Sequence, residues 1–116
     1  MESLRKNEDF RRCYRTGRSG ANQYLVVYIC KNNLDYNRIG ISVSKKIGNS
    51  VVRHRICRLV RESYRLHEGN CEPLPRSHNG CDIAVVGRRS ANGASYHEIE
   101  TALLSLLKTG KIYRES

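Results

Sequence analysis

Eight lysines and arginines, Arg38, Lys45, Lys46, Arg53, Arg55, Arg58, Arg61 and Arg65, stand against one acid, Glu62, in the 28 residues RIGISVSKKIGNSVVRHRICRLVRESYR that run from Arg38 to Arg65. That stretch carries +7 of the chain's formal +10. Ammonium and guanidinium groups stay protonated at neutral pH, so their chemistry is not proton transfer but the holding of phosphate. A mixed Lys/Glu face is ordinarily only solvated surface. Here the sign is nearly pure and arginine dominates, which costs self-repulsion unless a polyanion neutralises it. The charge balance therefore points to RNA.

The element that must carry these groups is a helix. Winding residues 50 to 66 at 100° each puts Val52, Ile56, Leu59, Val60 and Leu66 on one arc and His54, Arg58, Arg61 and Arg65 on the opposite one. Arg55 falls at the edge of the basic stripe and Arg53 on the other flank, in the first turn. Asn49 has the chemistry of an N-cap, with Gly48 making the preceding turn. Lys45 and Lys46 stand just before the helix start, where free N–H groups and the positive dipole end favour an anion.

Composition sets the remaining bounds. At 116 residues the chain is expected to form one domain, residues 1–116, with a single modest core. Its pI near 9.7 and lack of tryptophan suit a nucleic-acid partner. No apolar run approaches ~18 residues and the N-terminus has no signal-peptide core, so neither a membrane span nor export is expected. Cysteines at 13, 30, 57, 71 and 81 are odd in number and never spaced as C-x-x-C, which argues against a disulfide framework or a zinc site and for a reducing cytoplasm. Eleven acids are scattered, with no Asp or Glu pair among the basic motifs, and His54, His67, His78 and His97 lack an orienting acid nearby in sequence. No catalytic residue is expected in the protein, and no metal site.

Read in order, Asn7 to Thr16 forms a short helix ending at Gly17, with Phe10, Cys13 and Tyr14 on one side and Arg11, Arg12 and Arg15 turned away. Ser19 to Asn22 is a turn or short strand. QYLVVYIC alternates as a strand, with Tyr24, Val26, Tyr28 and Cys30 facing one way and Leu25, Val27 and Ile29 the other. KNNLDYN has hairpin chemistry, after which Ile39, Ile41 and Val43 give a second strand its apolar face. Gly40, Ser42 and Ser44 leave the other face shallow. Tyr24 and Tyr28 of a neighbouring strand would border it as an aromatic trough, or would be ordinary tyrosines on a solvated sheet. The residues alone leave both open. After the basic helix, HEGNCEPLPRSHNG reads as a loop and the place where mobility is expected. CDIAVVG is a buried strand, with Arg88 and Arg89 directly after it. A helix then starts near Ser95 with a Ser-x-x-Glu capping box to Glu98, buries Ile99, Leu103, Leu106 and Leu107, and stops at Gly110. The result is an α+β, two-layer sandwich of a mixed sheet with helices, in the order α-β-β-(β)-α-β-α.

The run SVSKKIGNSVVRHRICRLVRE resembles the signature of the bacterial ribonuclease P protein component, whose pattern is approximately SVSKK-x-GNAV-x-RNR-x-KR-x-x-RE. This sequence departs from it at Ser50 for Ala, His54 for the central Asn and Cys57 for Lys. KNEDF, DIAVVGRRSA and SYHEIE also match at their expected places. The resemblance implies a ribosomal-protein-like fold with a left-handed strand–helix–strand crossover, where chain sterics alone would favour the right-handed one at ~98%. It further implies that the catalyst is an RNA subunit, with Mg²⁺ held mainly by RNA, and that the protein helps remove the 5′ leader of precursor tRNA. By position, Lys45, Lys46, Arg53, His54, Arg55, Arg58, Arg61 and Arg65 would grip the ribonuclease P RNA, and Phe10, Tyr14 and Tyr28 would form the leader-binding cleft. A monomer in a 1:1 complex with the RNA is expected. The alternative on the same architecture is a general structured-RNA-binding or ribosome-associated protein.

Overall fold

The computed structural model describes residues 1–71 and 80–113. The expected mobile loop thus falls partly on residues 72–79, outside the described ones. The described residues form five strands and three α-helices: β1 (Glu2–Ser3), α1 (Asn7–Thr16), β2 (Arg18–Ala21), β3 (Leu25–Lys31), β4 (Arg38–Ser42), α2 (Ser50–His67), β5 (Cys81–Gly87) and α3 (Tyr96–Thr109). The strands form one mixed sheet in the order β1-β4-β5-β3-β2.

The last strand in sequence is the middle one in space. β5 runs parallel to β4 and antiparallel to β3, so β4, α2 and β5 make a parallel strand–helix–strand unit. CDIAVVG has little polar to offer water, and the centre of a sheet covers both its faces. This corrects the hairpin expected at KNNLDYN. The turn chemistry is present, with Asn33 at φ 60 and the Asn32 side chain accepting from the Leu34 N–H at 2.8 Å. The strands it joins, however, are separated by the width of β5. β1 carried no periodic signal; it pairs only Glu2 with Arg38 and Ser3 with Ile39.

Each sheet face is covered differently. Leu25, Val27, Ile29, Ile39, Ile83 and Val85 point to the side of α2 and α3 and join Ile56, Val60, Tyr64, Ile99, Leu103 and Leu107 in the main core. On the other face α1 rests on a smaller cluster of Leu4, Cys13, Cys30 and Ala84, with Phe10 and Tyr28 partly buried against it. α2 starts as expected: Asn49 caps it by accepting from the Val52 N–H at 3.0 Å. Its buried arc is shifted from the expected one. Leu66 is 59% exposed, whereas Ser63 and Tyr64 are buried. Tyr64 lies on the flank covered by Asn37 and Cys71, and burial pushes its hydroxyl well above the ordinary tyrosine range. α3 carries the full capping box, and Gly110 closes it. All five cysteines are free thiols, Cys71 and Cys81 included.

Candidate nucleic-acid interface

The basic surface is built on α2 and the turn before it. Ser44 shapes that turn, its carbonyl accepting from the Ile47 N–H at 3.1 Å and its hydroxyl from the Lys46 N–H at 3.3 Å, and both lysines are left exposed. His54, Arg58, Arg61 and Arg65 are exposed along one stripe, as their spacing predicts. Among the described residues His54, Arg58 and Arg61 make no side-chain hydrogen bond or ion pair, so their donors are available to a ligand. Three other arginines are less free. Arg65 donates to Glu62 at 2.9 Å in an exposed pair, the kind of contact that holds a side chain only loosely. Arg55 donates to the Ala94 carbonyl at 2.8 Å, just ahead of the α3 N-cap, so part of its fork is spent on packing two helices. Arg53 is half-buried, with its Nε enclosed and unpartnered. Asn49 and the dipole end of α2 sit beside Lys45 and Lys46, which keeps an anion-favouring helix start next to two cations.

The aromatic surface lies on the opposite side of the sheet. Ser19, Tyr28, Ala84 and Gly40 stand in one row across β2, β3, β5 and β4, and Ala21, Val26, Val86 and Ser42 in the next. Ala84 and Gly40 are buried beneath α1, and the second row, with Ala21 and Ser42 exposed and Val26 and Val86 half-buried, is the shallow floor left open. The wall comes from α1: Phe10 and Tyr14 have ring centroids 6.1 Å apart, and Tyr14 meets Tyr28 edge-on at 4.9 Å. Gly40 makes that approach possible, because a Cβ there would collide with the Phe10 ring and with Leu4. Of the α1 stripe only Cys13 is fully buried; Tyr14 is 39% exposed and Phe10 half-buried. Burial raises the Tyr14 hydroxyl above its ordinary value against a hydrogen bond with Ser42, so the phenol stays neutral across the working pH range. Phe10, Tyr14 and Tyr28 therefore come together as the resemblance implies. Tyr24 does not join them: it precedes β3, packs on the main core and hydrogen-bonds Glu98 of α3.

One cluster escaped the sequence reading. Asp82 of β5 is fully buried, and its Oδ2 accepts from Arg12 at 2.5 Å and from Arg38 at 2.8 Å. Oδ1 accepts from Arg38 Nε at 2.8 Å and from Asn32 at 3.0 Å. Burial alone would raise this carboxyl. The Arg38 and Asn32 hydrogen bonds and the charges of Arg38 and Arg12 outweigh it and hold Asp82 below the usual carboxylate range. Arg38, counted above with the phosphate-holding groups, is thus turned inward. The signal for this was a lone acid inside an otherwise apolar strand, CDIAVVG. Among the described residues no three His, Cys, Asp or Glu side chains gather where they could hold a metal ion. Nor is any described helix long and apolar enough to cross a membrane.

Unengaged guanidiniums on one side of a sheet and a shallow aromatic trough on the other define an RNA-binding α+β protein. The Ribonuclease P family model matches residues 1–111. A ribonuclease P protein component from Lachnoclostridium phytofermentans is 52% identical over 115 residues, covering 99% of this chain and 94% of the relative. One from Alkaliphilus metalliredigens is 52% identical over 109 residues, covering 94% and 93%. Among solved structures, the Staphylococcus aureus RNase P protein superposes with a TM-score of 0.86 at 37% identity, covering 98% of this chain and 99% of that one. The chain belongs to the ribonuclease P protein family.

Proposed function

We propose that this chain, the protein subunit of a ribonuclease P, holds the catalytic RNA with the α2 face and the 5′ leader of precursor tRNA in the α1 trough. Ribonuclease P removes that leader by phosphodiester hydrolysis, and the active site is in the RNA subunit. Lys45, Lys46, His54, Arg58 and Arg61 supply exposed donors to the phosphates of the ribonuclease P RNA, with Arg53, Arg55 and Arg65 flanking them. Each neutralised phosphate releases counterions, so the affinity falls steeply with salt. His54, an imidazole at the centre of the Arg53–Arg55 motif, binds as a single donor or acceptor per ring nitrogen. Phe10, Tyr14 and Tyr28 offer ring faces and edges to unpaired bases, which stack without sequence readout. The observation that supports this reading is the separation of the two surfaces: one sheet carries a helix with an exposed basic stripe on one face and clustered aromatic rings on the other, which would let two RNAs be engaged at once.

Mg²⁺ is held mainly by the RNA, and the protein acts as a monomer in a 1:1 complex with it, folded as one RNA-binding unit in the cytoplasm. Reconstitution tests the whole. The purified chain is mixed with the ribonuclease P RNA of its source and a precursor tRNA at physiological Mg²⁺, and leader removal is followed on a gel. Faster cleavage with the protein than without it is expected, together with no cleavage by RNA-free protein. If the protein binds both RNAs but leaves the cleavage rate unchanged, it is a general structured-RNA binder and the leader-processing role fails.

A further inference from the structure

Helix α1 carries two of the three aromatic groups of the trough, yet Cys13 is the one residue it buries completely. The packing of Phe10, Cys13 and the Tyr14 ring edge is non-directional, and the neutral hydrogen bonds of α1 to the sheet are few: the Cys13 thiol donates weakly to the Tyr28 and Asp82 carbonyls at 3.4 Å, and the Tyr14 hydroxyl meets Ser42. The charge-assisted contacts, which are the stronger ones, run through Asp82. Asp82 stands in the row of Cys30 and Arg38, two residues along each strand from the row of Tyr28, Ala84 and Gly40 on which α1 packs. Its carboxylate takes Arg12 from α1, Arg38 from β4 and Asn32 from the end of β3. Asp9, also on α1, lies 3.8 Å from Arg12 and 3.7 Å from Arg38. Two carboxylates thus balance two guanidiniums, and the cluster offers no net charge to a phosphate. Nor does such a buried pair add much stability over an apolar residue of similar size, because taking it out of water costs about as much as the attraction returns. What charge-assisted hydrogen bonds add over an apolar residue at position 82 is fixed geometry.

We propose that Asp82 is a positioning residue for the trough: through Arg12 it fixes the roll of α1, and with it the gap between Tyr14 on the helix and Tyr28 on the sheet. This role rests on the reading of the trough as the leader site. Asp82 touches no RNA itself; it acts on the leader only through the placement of the aromatic wall.

The test uses the full chain reconstituted with its catalytic RNA, and measures affinity for precursor and mature tRNA across a salt series. Arg12→Met removes the direct link from Asp82 to α1, leaving Asp82 paired with Arg38 and Asn32 and only the longer Asp9–Arg38 contact between the cluster and the helix. It should lose about tenfold of the preference for precursor over mature tRNA, within the range of one stacked base. Arg12→Lys, which keeps a charged donor without the planar fork, should fall between Arg12→Met and wild type. The double variant Arg12→Met/Tyr14→Ala should lose no more than Tyr14→Ala alone, and the salt slope should not change. Wild-type preference in Arg12→Met overturns the proposal. So does additivity with Tyr14→Ala, or a slope reduced by about one, since either would mean that Arg12 grips a phosphate directly. If Tyr14→Ala itself keeps the full preference, the trough is not the leader site, and both readings fall together. If Tyr14→Ala loses it and Arg12→Met does not, the positioning role alone fails.

Discussion

On one side of the sheet eighteen buried residues from α2, α3, the strands and the segments flanking the helices form a continuous core; on the other, the buried cluster under α1 has four, one of them the helix's own Cys13. The thick side presents charge and the thin side presents rings. A phosphate-holding stripe tolerates small displacements, because Coulomb attraction falls off gently with distance and long arginine side chains adjust. Stacking does not, since ring contact is lost within an ångström or so. The surface that needs accurate placement is therefore the one with fewer apolar contacts, and Asp82, the one buried charged side chain among the described residues, lies on that side.

Four experiments break or sharpen this contrast. The largest effect belongs to the thick side: Ile56→Ala removes a fully buried side chain of the main core and should cost ~2–5 kcal/mol in urea unfolding. Its loss of RNA binding should be no greater than its loss of folded protein. Tyr28→Ala, on the thin side, should leave the unfolding midpoint close to wild type but cost ~1–3 kcal/mol per lost stacked base in precursor-tRNA affinity, with mature tRNA unaffected. Equal weakening of both tRNAs would make Tyr28 a general surface or core residue.

Acid should act next, and on the thin side first. The folded value of Asp82 lies below its ordinary one, so the stability it gives is complete above about pH 4, the unfolded carboxylate's range, and is lost as pH falls through the depressed folded value. The Tm of wild type should therefore drop more steeply in acid than that of Asp82→Asn, whose residue 82 no longer titrates. Parallel curves would place the acid sensitivity elsewhere. The smallest change in free energy, and the most diagnostic, is that of Arg58→Ala or Arg61→Ala: each should reduce the salt slope for the catalytic RNA by about one and leave Tm unchanged. A lower Tm with an unchanged slope would make these arginines structural.

Much of this was written locally in the chain. The helix from Asn7 to Thr16, the Asn49 and Ser95 caps, the buried strand CDIAVVG and the exposed stripe His54, Arg58, Arg61 and Arg65 all follow from spacing and capping chemistry, which act over a few residues. What sequence could not supply was partnership across distance. Periodicity says that β3 and β4 are strands but not that β5 comes between them. It names Tyr24 and Tyr28 as one face without showing that Tyr24 sits beyond the strand's start and is claimed by Glu98. Leu66 and Tyr64 lie on opposite flanks of α2, and which flank is covered depends on Asn37 and Cys71 from elsewhere in the chain. The Asp82 cluster joins residues 70 and 44 positions apart, a separation that local patterns do not encode.

The position of β5 also governs the order in which the molecule can form. Until residues 81–87 are synthesised, neither β3 nor β4 has its native partner on the inner side; each presents an open edge to the slot that β5 will fill. The early chain has α1, the β2–β3 hairpin and the start of α2 as local structure, but no closed sheet. Closure joins pairs as distant as Leu25 and Gly87, so folding is governed by the late arrival of one apolar strand and should be slower than the helix content alone suggests. The same strand that makes the finished sheet cooperative leaves the nascent chain with two unsatisfied edges, which is the condition under which chains mispair with one another.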